Sequence, residues 1–171
     1  WLGLFQIAEK SGLTDKLAWV LTPLFRRLMP EVPAGHPAIG SVTLNMAANM
    51  LGLDNAATPM GLKAMKDLQS LNTKPDTATN AQILFLVINT SSVTLIPVSI
   101  FMYRAQFHAP NPASVFLPIL LATCASTFSG IMMVAWIQKL KLWDRVILAY
   151  AAGFAILMAS LISLIVGLPA Q

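Results

Sequence analysis

Residues 105–138 contain no Lys, Arg, Asp or Glu. A run of that length without charge does not suit the surface of a water-soluble domain. Within it, residues 113–137 are long enough to cross a hydrocarbon core of about 30 Å as a helix rising about 1.5 Å per residue. Two more segments share this character: residues 81–103, uncharged up to Arg104, and residues 146–168. In hydrocarbon the backbone must satisfy its own polar groups, so each segment is expected to be a helix. Composition agrees. Of 171 residues, 56% are hydrophobic and 11% charged, where soluble domains carry roughly 25% charged residues. The expected fold class is an all-α polytopic membrane protein, formed as one membrane domain over residues 1–171.

Around these three transmembrane helices the chain carries shorter pieces. Residues 1–8 are apolar and read as the end of a further N-terminal transmembrane helix whose beginning is missing; they lack the basic start and cleavage site of a signal peptide. Over residues 13–29, Leu13, Leu17, Val20, Leu21, Leu24 and Leu28 recur at helical spacing among Asp15, Lys16, Arg26 and Arg27. That is an amphipathic helix suited to the membrane interface. Residues 32–53 are uncharged but hold Ser41, Thr43, Asn45 and Asn49, and Gly52-Leu53-Asp54-Asn55 reads as a turn. Thr58-Pro59 then reads as a fresh helix start, with Thr58 as cap and Pro59 at the first helical position. Each arm is too short to cross alone, so residues 36–71 read as a re-entrant helical hairpin.

The basic residues choose between that hairpin and a single crossing. With a hairpin, Lys10, Lys16, Arg26, Arg27, Lys63, Lys66, Lys74, Lys139, Lys141 and Arg145 share one side and only Arg104 lies opposite. A full crossing would split them five against six. Cytoplasmic loops concentrate Lys and Arg, which favours the hairpin, with the basic loops cytoplasmic and the C-terminus of this chain outward in a bacterial inner membrane. Trp136 and Trp143 flank the basic loop, and Tyr103 ends its helix, as interface anchors do. Ala151, Ala155, Ala159, Ser163 and Gly167, and likewise Ala122, Ser126 and Gly130, form small-residue stripes that allow close helix approach.

Several function classes find no support. No aromatics interleave with the cations, so the net charge of +4 reads as a topology signal, not a nucleic-acid surface. Cys124 stands alone in an apolar run and reads as a small buried hydrophobe. His36 and His108 sit beside prolines at segment ends, and no cluster has metal-ligand spacing. No nucleophile–base or paired-carboxylate arrangement appears, so neither an enzyme nor a cofactor is expected.

The informative residues are polar groups at membrane depth, which must be paired or face water. Ser41, Asn45 and Asn49 recur every four residues along one helix face; they either staple helices together or line a cavity. The turn continues the polar set with Asn55 and Thr58. Asp54 either titrates to couple an ion or caps the second arm. Asn89, Thr90, Ser91 and Ser92 are consecutive in an apolar span, and Pro97 removes the hydrogen bond to the Val93 carbonyl. The helix is therefore expected to open around Ser91–Val93. A broken helix facing a re-entrant hairpin is a common way to build a mid-membrane transport site. On this reading the two meet at mid-membrane, and Asn45, Asn49, Asn55, Thr58, Asn89, Thr90, Ser91 and Ser92 bind a small polar solute. The rival is a non-transporting scaffold in which the amides join helices.

Three stretches resemble the bacterial spore maturation protein A family. They are Pro30-Glu-Val-Pro-Ala-Gly-His-Pro37, then Asn45-Met-Ala-Ala-Asn-Met-Leu-Gly-Leu-Asp-Asn-Ala-Ala-Thr-Pro59 with Gly61-Leu-Lys-Ala-Met65, and Asn89-Thr-Ser-Ser-Val-Thr-Leu-Ile-Pro97. The resemblance runs over nearly the whole chain and lacks the family's first transmembrane region. It implies a polytopic inner-membrane protein of the nucleoside recognition, or gate, group, similar to portions of concentrative nucleoside and ferrous iron transporters. It also implies a partner, a related spore maturation protein B subunit or fused half, and a link to spore core dehydration in spore formers. The family turn carries glycine where this chain has Asp54, which sets Asp54 apart from any family-wide role.

Overall fold

The computed structural model describes residues 13–74 and 76–167. Among them every regular element is a helix, as the composition leads one to expect, and no strand occurs. The elements are α1 (Leu13–Leu28), α2 (Pro37–Met50), α3 (Asp54–Gln69), α4 (Asn80–Thr90), α5 (Val98–Gln106), a 3-10 turn (Pro112–Val115), α6 (Phe116–Gln138) and α7 (Arg145–Gly167). The expected helix end over residues 1–8 lies outside the described residues.

Local chemistry sets the boundaries. His36 caps α2, its Nδ1 accepting from the Ala38 N–H at 3.2 Å, and Pro37 takes the first helical position, where a missing N–H costs nothing. Thr79 and Gln82 close a reciprocal capping box on α4. α3 corrects one expectation. It begins at Asp54, not at Thr58-Pro59, so Pro59 lies inside the helix. The physical reason is that the chain has already reversed at Leu51 and Gly52. The Leu53 carbonyl can then accept from the Ala57 N–H at 2.9 Å and open the helix one turn earlier.

The expected opening after Asn89 is present and wider than Pro97 alone requires. The chain leaves α4 at Thr90 and re-enters helix only at Val98, so residues 81–103 are two short helices around an extended link, not one span.

α2 and α3 form an antiparallel hairpin, α1 packs along α2, and α4 lies against both arms. Phe25 and Leu28 of α1 with Met29 just after it, Ile39, Val42 and Met46 of α2, Ala64 and Leu68 of α3, and Leu84, Phe85 and Ile88 of α4 share one core, which the end of α6 reaches through Val134. The inner face of the amphipathic helix α1 is thus covered by the hairpin.

α6 is different. Its Leu121, Phe128, Met132, Met133, Trp136 and Ile137 are exposed. An apolar surface of that extent is unfavourable in water and matches lipid. The helical stretch Pro112–Gln138 is long and apolar enough to cross a bilayer; Asn80–Thr90 is apolar but shorter, and α7 is apolar over the described stretch Arg145–Ser160.

The small-residue stripes serve less than their spacing suggests. Gly130 does permit close approach: a Cβ there would come within 2.8 Å of Val87 Cγ1. Ala122 and Ser126, however, face outward, as do Ala151, Ala155, Ala159 and Ser163. The face of α6 that turns inward carries Leu120, Thr127 and Val134.

Candidate functional site

The tip of the hairpin meets the broken helix. Gly52 holds φ +65, a left-handed conformation that glycine adopts without penalty. The Ile96 carbonyl lies so close above it that a Cβ would fall under 3.0 Å away. The Met50 carbonyl accepts from the Leu95 N–H at 2.9 Å and from the Ile96 N–H at 3.3 Å, and Ser99 Oγ donates to the Gly52 carbonyl at 3.4 Å. These contacts satisfy backbone groups that the broken helix leaves without helical partners. On its other side the link is held by α6: Thr127 Oγ1 donates to the Ser91 carbonyl, and Thr123 Oγ1 accepts from the Thr94 N–H at 3.3 Å.

Beside this junction three amides converge. Asn45, only 1% exposed, donates through Nδ2 to the Ala57 carbonyl at 2.8 Å. Asn49 Nδ2 donates to Asn89 Oδ1 at 2.7 Å and, more weakly, to Asn45 Oδ1 at 3.3 Å. Gly61 makes room for the cluster, since a Cβ there would lie 3.0 Å from Asn45 Nδ2 and 3.9 Å from Asn89 Nδ2. Asn49 and Asn89 are half-buried. Asn49 Oδ1 and Asn89 Nδ2 enter no hydrogen bond among the described residues, which leaves one acceptor and one donor available.

Thr90, Ser91 and Ser92 make no hydrogen bond to this group. Thr58 and Thr90 are exposed, and the Thr90 hydroxyl turns back to the Leu86 carbonyl of its own helix. Ser91 Oγ likewise donates to the Val87 carbonyl at 2.7 Å. Ser92 is half-buried in the link. Asp54 and Asn55 belong to the first turn of α3; their side chains lie outside the described residues.

Two contributors from α3 leave only a faint signal in the sequence. The Ala57 carbonyl and the space at Gly61 come from α3, and their only sequence signal is two small residues four apart. Ser41, although in register with Asn45 and Asn49, joins a separate group at the open end of the hairpin. It donates to Asp67, and Lys63 Nζ donates to Asp67 Oδ2 at 2.8 Å and to Ser41 Oγ at 3.1 Å. The Lys63 ammonium first, and the Ser41 hydroxyl second, hold the Asp67 carboxyl below its usual range. A neighbouring amide set fixes the loop after α3, with Gln82 Nε2 donating to Gln69 Oε1 at 2.6 Å and Asn72 Nδ2 to the Thr77 carbonyl at 2.8 Å.

Among the described residues no group of His, Cys, Asp and Glu has the makings of a metal site. Neither the cavity beside α5 nor the one at the basic end is lined by the three amides.

A family model described as nucleoside recognition, the gate domain, matches residues 1–107, which takes in the hairpin and both halves of the broken helix. Spore maturation protein A of Bacillus subtilis (strain 168) is 41% identical over 133 residues, covering 78% of this chain and 68% of that relative. No solved structure matches the chain.

Proposed function

The chain belongs to the spore maturation protein A family, and on that premise we propose that it is a membrane transport component for a small polar solute. The observation that carries this reading is the pairing of an available acceptor, Asn49 Oδ1, with an available donor, Asn89 Nδ2, across two elements that are both interrupted. A donor beside an acceptor suits the edge of an amide or a nucleobase. The family description, nucleoside recognition, agrees with a nucleoside-like solute.

In this reading α2 and α3 enter the membrane from the basic side and return. Their 14 and 16 residues give arms of roughly 21 and 24 Å, short of a core of about 30 Å. The basic loops face the cytoplasm and the chain crosses several times, its C-terminus outward. The closed amide cluster is one state of a gate. Asn55, Thr58, Thr90, Ser91 and Ser92 contribute as the gate opens, and Asp54 in the first turn of α3 is the candidate for ion coupling. A related spore maturation protein B subunit or fused half, inserted with inverted topology, supplies the facing side.

A second reading has its own support. The amides bond one another, as interhelical joints in a non-transporting scaffold of spore or envelope maturation would. Thermal shift of the full-length protein with its partner separates the two, using a panel of nucleosides, nucleobases, amino acids and metal ions. The transport reading expects stabilisation by one solute class that is lost in the Asn49→Ala, Asn89→Ala double variant. No shift with any solute, together with a double variant that is merely less stable, supports the scaffold.

A further inference from the structure

A second polar feature lies at the opposite end of the hairpin from the amide cluster. The end of α1, the start of α4 and the loop between α6 and α7 enclose a cavity of about 680 Å³. Four cations line it, Arg26, Arg27, Lys139 and Lys141, against two carboxylates, Glu31 and Asp144. The carboxylates are already engaged: Asp144 Oδ2 accepts from Arg27 Nη1 at 2.9 Å, and Glu31 Oε1 accepts from Asn80 Nδ2 at 2.7 Å. Arg26, Lys139 and Lys141 therefore have no acidic partner among the described residues. Pro30 and Leu140 give it an apolar lining, backed by the buried Leu28 and Met29.

Two further observations bear on the occupant. Lys139 stands in the left-handed conformation, φ 53, at the end of α6, where glycine is the usual residue. A lysine there is disfavoured on backbone grounds, and glycine would fit the backbone better. Trp136 and Trp143 flank the cavity loop and are 82% and 88% exposed. Indole rings so placed beside cations, at the end of an apolar helix, mark the headgroup level of a bilayer. Excess positive charge, an apolar lining and an indole rim together match a phosphate joined to acyl chains.

We propose that this cavity seats the phosphate of an anionic membrane phospholipid. The phosphate takes Arg26, Lys139 and Lys141, and the glycerol and first acyl carbons lie over Pro30 and Leu140. Basic pockets between membrane helices on the cytoplasmic side recognise lipid headgroups by this chemistry. The site does not depend on the transport reading, and loss of the amide cluster leaves it intact.

The test measures binding of the full-length protein, in neutral detergent, to phosphatidylglycerol, to phosphatidylcholine and to inorganic phosphate. Phosphatidylglycerol is expected to bind and stabilise, phosphatidylcholine not, and inorganic phosphate only weakly. Each cation near an anionic bilayer surface contributes roughly fivefold in affinity. The Arg26→Gln, Lys139→Gln, Lys141→Gln variant is therefore expected to bind about a hundredfold more weakly, while Lys66→Gln, Lys74→Gln binds as the parent. Lys139→Gly guards against a folding artefact: it suits the left-handed backbone, so it should unfold at a higher temperature without lipid and yet gain less from phosphatidylglycerol. Equal binding of the two lipids, unchanged phosphatidylglycerol binding by the triple variant, or saturation by inorganic phosphate with no added effect of lipid would each overturn the proposal.

Discussion

Replacing Gly52 by alanine is expected to lower stability by at least about 3 kcal/mol, an effect large for a single methyl group. Two independent costs combine. The left-handed backbone at φ +65 disfavours any residue with a Cβ by roughly 1–2 kcal/mol. The added methyl also meets the Ile96 carbonyl, a backbone atom that no side-chain rotation moves, with Val98 N 3.2 Å away. Relief requires the hairpin tip to withdraw from the link, which loosens the hydrogen bonds from Leu95 and Ile96 to the Met50 carbonyl. Gly35 provides the control. It holds φ +85, and a Cβ added there would meet nothing within 4 Å, so Gly35→Ala carries the backbone penalty alone. Thermal unfolding of both variants in mild detergent should rank them parent, Gly35→Ala, Gly52→Ala. Equal losses for the two glycines would mean that the tip does not press on the link.

The second large effect is expected at Asn45. Asn45→Asp changes one atom's identity and keeps the shape, yet it should cost about 3–5 kcal/mol at neutral pH, the range for a buried charge left without a partner. The amide nitrogen that donates to the Ala57 carbonyl at 2.8 Å becomes an oxygen facing an oxygen. At 1% exposure water cannot reach the site to compensate. Asn45→Ala removes the donor without adding charge, and a loss of about 1–3 kcal/mol follows from one abandoned buried hydrogen bond. Denaturation of the three proteins side by side decides the point. Two variants of equal stability would show that Asn45 is a filler and not the donor that ties α2 to α3.

How much of this was legible in the sequence depends on what each residue's role requires. The helix break could be read because its causes are local: Pro97 lacks an N–H, and Asn89 to Ser92 are polar in an apolar run. Asn45 and Asn49 could be placed on one face because helical spacing fixes faces. That face, however, serves two groups. Ser41 goes to Lys63 and Asp67 near the open end, while the amides go to Ala57 and Asn89 near the tip. Only the pairing of the arms separates them.

Thr58-Pro59 misled because proline tolerates the first turn of a helix and its presence resembles a start. Gly52 had already reversed the chain, so α3 could begin at Asp54. Thr90 and Ser91 read as site residues by type, but their hydroxyls return to carbonyls one turn back, a local alternative open to any helical Ser or Thr. The small-residue stripes show the limit most clearly. Spacing reveals that Ala151, Ala155 and Ala159 share a face, but not whether a neighbour covers it, and here none of the described helices does.

We propose that a small polar solute crosses the membrane through the junction of Asn45, Asn49 and Asn89. Counterflow in proteoliposomes tests it most directly, with the full-length protein and its partner reconstituted together and labelled nucleoside outside vesicles preloaded with unlabelled nucleoside. Accumulation well above empty vesicles is expected, reduced at least tenfold by Asn49→Ala with Asn89→Ala. Vesicles holding folded protein that exchange nucleosides and other polar solutes no faster than empty ones would contradict it and leave the amides as joints between helices.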